Sequence, residues 1–118
     1  MKINIKASGL DLTPAISAYV DNKVAMLDKL FAHDPAVYAD VEVGKRTNHH
    51  KSGEVLFSEI NIHSLGKIIR HVAEEYDLYA AIEKMKDGVA EEIRNLDKKK
   101  ETLFRRGGRA IKKLFRGM

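Results

Sequence analysis

A chain of 118 residues is long enough for one domain with a modest core, and its lack of cysteine excludes a disulfide scaffold, a thiolate metal site and a cysteine nucleophile. The net charge of +4 hides an asymmetry: from Lys98 onward nine Lys or Arg stand against the single acid Glu101, a net of +8, whereas the first 97 residues carry twelve bases and sixteen acids, a net of −4. A basic appendage on a slightly acidic body points to a polyanion as partner, either nucleic acid or an anionic membrane surface.

The first residues, KINIKA, alternate Ile3, Ile5 and Ala7 with Lys2, Asn4 and Lys6, the period of a half-buried strand. This alternation is neither a signal peptide nor a spanning helix, so the protein is expected to be soluble and cytoplasmic. The period then changes. Ile16, Tyr19, Val20, Lys23, Val24, Leu27, Leu30 and Phe31 recur at helical spacing, with Thr13 as N-cap, Pro14 in the first helical position and Pro35 as the stop.

Residues 37–43, VYADVEV, read as a second strand with Val37, Ala39, Val41 and Val43 inward. The polar run GKRTNHHKSG, residues 44–53, reads as the link to a third strand, EVLFSEINIH; SLGK then makes a hairpin turn. The fourth strand, IIRHVAEE, has apolar residues in both registers, so periodicity leaves its inward face open. From Asp77, the expected cap, a long helix carries the stripe Leu78, Ile82, Met85, Val89, Ile93 and Leu96 and runs to about Arg105, before Gly107-Gly108. Gly88 in its interior costs about 1 kcal/mol relative to alanine. The order β-α-β-β-β-α is an α+β arrangement: a four-stranded sheet with two helices on one face, the other face left for solvent or a partner.

The order of elements, LDLTPAISAYVDNKV leading into the first helix, and above all DLYAAIEKMKD opening the second resemble the ribosome hibernation-promoting factor family, which includes the ribosome-associated inhibitor. The resemblance covers residues 1–104, the expected ribosome-binding domain, and leaves 105–118 as a basic C-terminal tail. It implies a shape similar to a double-stranded RNA-binding domain. It also implies a non-catalytic function: occupying the messenger and transfer-RNA channel of the small ribosomal subunit, blocking translation and preserving idle ribosomes. No cofactor, metal or DNA partner is implied. The length matches a short form, without the dimerisation domain that long members carry.

Two basic groups suit contact with ribosomal RNA, because each phosphate contact releases counterions without reading sequence. Lys98, Lys99, Lys100, Arg105 and Arg106 crowd the end of the second helix; Lys45, Arg46, His49, His50 and Lys51 lie on the predicted link between strands. Lys23, Arg70 and Arg94 match basic positions of the family, and an outward Arg70 would turn Ile69, His71 and Ala73 toward the core. Each also has a plainer reading, as a solvated helix end, a polar loop or an ordinary surface charge. Adjacent His49 and His50 present their rings poorly to one metal ion, and no carboxylate or thiolate stands beside them in sequence. Against the family pattern, Gly88 and Glu91 replace mid-helix bases, and Asn95 and Asp97 stand where further bases are frequent; the tail would compensate for these departures.

Other classes fit less well. RAIKKLFRGM has the composition of a short interfacial helix, but ten residues bury too little apolar area for firm anchoring. No phosphate-cradling glycine loop, nucleophile motif or metal spacing supports an enzyme. A general binder of structured RNA remains the nearest alternative.

Overall fold

The computed structural model describes residues 1–47 and 54–105, with the side chains of 47 and 101–105 left aside. Strand β1 (Lys2–Ser8) leads through helix α1 (Pro14–Ala25) and a 3-10 turn (Asp28–Phe31) to β2 (Tyr38–Thr47), followed by β3 (Glu54–Ser64), β4 (Lys67–Glu75) and helix α2 (Leu78–Arg105). The sheet order is β1-β2-β3-β4, with β1 parallel to β2 and the other pairs antiparallel. The expected α+β order is therefore the observed one.

One face of the sheet and both helices enclose the core. Ala39, Val41, Val43, Ile60 and Ile62 from the strands meet Val20, Val24, Leu27 and Phe31 from the α1 region and Leu78, Ile82, Met85 and Val89 from α2. The register sets Ile62 opposite Ile69, Ile60 opposite His71 and Ser58 opposite Ala73. This turns Ile69, His71 and Ala73 toward the helices and Arg70 toward the open face, which periodicity left undecided. Ser58 is fully buried, and its hydroxyl is satisfied by the Met85 sulfur at 2.9 Å.

The local signals behave as their chemistry requires. Thr13 Oγ1 accepts from the Ile16 N–H at 3.2 Å, Pro14 opens α1, and Asp77 Oδ1 accepts from the Tyr79 N–H at 3.2 Å at the start of α2. Between β3 and β4, Leu65 and Gly66 both take positive φ, 51° and 75°, the two-residue turn whose twist matches an antiparallel pair. Buried Asp34 accepts from Ser64 Oγ at 2.8 Å, the Leu65 N–H at 3.2 Å and the Ala36 N–H at 2.9 Å, tying this hairpin to the approach to β2.

Two boundaries differ from expectation. The first helix stops at Ala25, not at Pro35: the Met26 and Leu27 N–H groups reach back three residues to the Lys23 and Val24 carbonyls, and a 3-10 turn follows. The tighter winding still seats both Leu27 and Phe31 in the core. The second strand, expected to end at Val43, continues through Gly44 to Thr47. Gly44 does not mark a turn. A Cβ there would lie 2.4 Å from the Ser8 carbonyl oxygen and 2.6 Å from the Phe57 ring, so glycine is required by close approach inside a strand.

Candidate nucleic-acid interface

On the helical layer, Glu83 of α2 is the centre of a polar cluster. Its carboxylate meets Lys23 Nζ of α1 at 2.8 Å and Lys86 Nζ at 3.1 Å, and accepts from the Tyr19 hydroxyl at 3.2 Å. The hydrogen bonds from Lys23 and then Lys86 hold the Glu83 carboxyl down to about 2, and the same bond from Glu83 raises Lys23. Tyr19 and Tyr79 pack edge to face at 4.8 Å beneath the Lys23 ammonium, which lies 5.4 Å from the Tyr19 ring. Lys23 is thus a pinned cation, half-buried between two helices.

Lys45 and Arg46 lie on β2 and not on a loop, because that strand is longer than expected. Lys45 pairs with Glu54 at 3.2 Å; Arg46 stacks 4.1 Å above the Phe57 ring and pairs with Glu74 at 2.9 Å. Arg70 pairs with Glu59 at 2.7 Å on the open sheet face. That face alternates charge: Asp40, Glu42, Glu59 and Glu74 accompany Lys2, Lys6, Arg46 and Arg70. His63 stacks on Tyr38 at 4.3 Å and reaches Asp40 at 3.3 Å. His49, His50 and Lys51 lie outside the described residues, as does Arg106.

The second helix carries the remaining candidates. It starts at the Glu75 end of β4 and runs back along that strand, as the contacts of Glu75 with Lys84 and of His71 with Glu92 show. Nine strand residues extend about 28 Å, which α2 matches in about 19 residues, so its core-facing stripe runs out near Leu96. Leu96 is accordingly exposed despite lying on that stripe. The last nine residues, 97–105, project about 14 Å past the sheet, solvent-facing through Lys100. Arg94, Lys98, Lys99 and Lys100 are exposed, and Arg94 and Lys98, four apart, share one side of the helix. Arg105 is the last helical residue.

The candidates do not form one patch. Lys23, Arg94 and Lys98–Lys100 belong to the helical layer, whereas Arg46 and Arg70 lie on the opposite face of the sheet. The strand ends that flank residues 48–53, with Lys45 and Arg46, are at the end of the sheet where α2 begins, so the described members of the two basic groups, Lys45 and Arg46 against Lys98–Lys100, occupy opposite ends of the body. Sequence reasoning missed Lys86 and Glu83, which lock Lys23 in place; their spacing of three on a helix was the available signal. It also missed why Gly88 is there. A Cβ at 88 would lie 2.8 Å from His71 Nδ1, and that half-buried ring reaches the Glu92 carboxylate at 2.9 Å through Nε2.

Comparison with known proteins agrees with this architecture. The chain is 31% identical over 102 residues to the ribosome hibernation promoting factor of Salmonella typhimurium, an alignment covering 86% of this chain and 99% of that protein. It is 29% identical over 108 residues to the ribosome hibernation promotion factor of Bacillus subtilis, covering 92% of this chain but 54% of that longer protein, so it spans about half of that relative's length. The crystal structure of the Thermus thermophilus Protein Y N-terminal domain superposes with a TM-score of 0.67 at 28% identity, covering 81% of this chain and 99% of that one. Residues 3–101 match the family described as Sigma 54 modulation protein / S30EA ribosomal protein, and to that family the chain belongs.

Proposed function

We propose that this protein binds the small ribosomal subunit through ribosomal RNA, occupies the channel used by messenger and transfer RNA, and keeps idle ribosomes intact in the cytoplasm by steric occlusion. The observation that carries this reading is the match to ribosome hibernation factors over nearly their whole short-form length, on a fold whose second helix projects a cationic end beyond the sheet. Such an end can enter an RNA-lined cleft and meet phosphates there without disturbing the core.

In this reading Arg94, Lys98, Lys99, Lys100, Arg105 and Arg106 make the main phosphate contacts. Lys45, Arg46, His49, His50 and Lys51 make a second set. Lys23 presents its ammonium from a fixed position, and Arg70 adds a cation on the open face. Residues 105–118 act as a cationic arm that meets phosphates in place of the mid-helix positions 88 and 91, where Gly88 and Glu91 offer no positive charge.

Sucrose-gradient sedimentation of ribosomes with the protein tests the reading. Co-migration with small subunits and intact ribosomes, reduced by added messenger and initiator transfer RNA, is the expected result. Absence from both fractions overturns it. Equal competition by bulk duplex RNA at physiological salt would favour the alternative, a general structured-RNA binder.

A further inference from the structure

The sheet has two edges, β1 and β4, and they differ in one respect that matters for assembly. On the open face β1 carries Lys2, Asn4, Lys6 and Ser8, with no acid, so its antiparallel pairing with itself gains no ion pair and can set Lys2 against Lys6. Along the same face β4 presents Ile68, Arg70, Val72 and Glu74, and exposed Tyr76 follows just past the strand. Ile68, Val72 and Tyr76 are 62%, 41% and 70% exposed. This series reads apolar, basic, apolar, acidic, apolar, and is therefore complementary to its own reverse.

We propose that β4 is a homodimerisation edge: it pairs antiparallel with β4 of a second copy about a two-fold axis at Val72, giving one continuous eight-stranded sheet. In this register Val72 faces Val72, Arg70 faces Glu74, and Ile68 faces Tyr76, each pair occurring twice or on the axis. The seam also extends ion pairs already present within each copy. Arg70 is held by Glu59 at 2.7 Å and Glu74 by Arg46 at 2.9 Å, so crossing the seam gives an alternating series Arg46, Glu74, Arg70, Glu59. Charges on an edge strand ordinarily deter pairing. Here they reject registers centred on Arg70 or Glu74, which oppose like charges, and favour this one.

The helix layer does not obstruct the seam. Because α2 packs on both β3 and β4, a strand spacing of about 4.8 Å sets the two copies of α2 on the order of 10 Å apart, an ordinary helix-packing distance. The groove of His71, Gly88, Glu92 and Asn95 would then lie between them. The seam rests on the edge strand and its flanking ion pairs and does not depend on ribosome binding.

Sedimentation velocity of the full chain is the test, from about 10 μM to about 1 mM because a seam this small supports only weak association. The apparent mass should rise toward twice that of one chain. Val72→Lys and Val72→Glu, at an exposed position, should each weaken association at least tenfold with circular dichroism unchanged, and an equimolar mixture of the two should regain it. As a second readout in a chain without cysteine, Val72→Cys should oxidise to a covalent dimer while exposed Leu12→Cys stays monomeric. A wild-type chain that stays monomeric throughout the range, assembly indifferent to Val72→Lys, growth into larger open-ended species, or equal crosslinking of both cysteine variants would each overturn the proposal.

Discussion

Gly88 and His71 are explained by each other. A glycine in the middle of a helix is unfavourable by about 1 kcal/mol, and a histidine on the core face of a strand needs space and a polar partner. The structure meets both needs at once: the missing Cβ makes room for the imidazole, and Glu92, one turn further along α2, engages its far nitrogen. Gly88→Ala should therefore lower stability by about 1 kcal/mol in the wild type, the overpacking exceeding the gain in helix propensity. In a His71→Ala background the same substitution should raise stability by about 0.5–1 kcal/mol. A urea-unfolding double-mutant cycle measures the reversal; equal effects in both backgrounds would show that the two sites are uncoupled.

Glu83 supports a second prediction at the same scale. Its carboxyl sits at about 2 in the folded protein against an ordinary 4.5, so the stability it contributes is complete above about 4.5 and is lost as the pH falls toward 2. Unfolding midpoints followed from pH 7 to pH 2.5 should fall for the wild type and fall less for Glu83→Gln, whose amide has no charge to lose. The variant should be the less stable of the two at pH 7. Parallel curves would mean that solvent screens the Lys23–Glu83–Lys86 cluster, whose carboxylate is partly exposed.

At the scale of elements, α2 is one helix with two roles. Leu78 to Ile93 faces the sheet, and Ile82, Met85 and Val89 are buried almost completely, so Ile82→Ala should cost about 2–5 kcal/mol by leaving a cavity. Beyond Leu96 the helix contributes charge and no core side chains among the described residues. Truncation after Lys98 should accordingly leave the thermal midpoint almost unchanged while weakening ribosome binding, a separation measurable by calorimetry and by pelleting with ribosomes. A large drop in midpoint would instead mean that the distal segment folds back onto the body.

The opposite surprise is in β2, which continues through a glycine that looks in sequence like a turn. A turn glycine and a close-approach glycine are the same letter. Only the neighbouring Ser8 carbonyl and Phe57 ring, brought in from two other strands, distinguish them.

For the whole molecule the decisive property is the separation of charge from core. In the proposed function the acidic body makes few phosphate contacts, and the helix end with the residues beyond it makes most. Binding should then weaken steeply with salt, and removing residues 105–118, which carry six of the bases, should flatten the slope of log affinity against log salt. An unchanged slope would assign the affinity to the body and refute the compensating role of the tail. No helix among the described residues is long and apolar enough to cross a membrane, so flotation with anionic liposomes remains a useful control for the tail alone.

The element order, the caps at Thr13 and Asp77, the hairpin at Leu65-Gly66 and the core stripe of α2 were all determined by sequence, because each depends on a period or a cap within a few residues. What the tertiary structure decided depends on neighbours distant in the chain. The pairing of Ile60 with His71 oriented β4, Glu83 fixed Lys23 across two helices, and the finite length of the sheet determined where α2 stops being core and becomes an exposed cationic arm. Charge could be counted along the chain, but whether a given cation is pinned, paired or presented to solvent was set by which strand or helix folded against it.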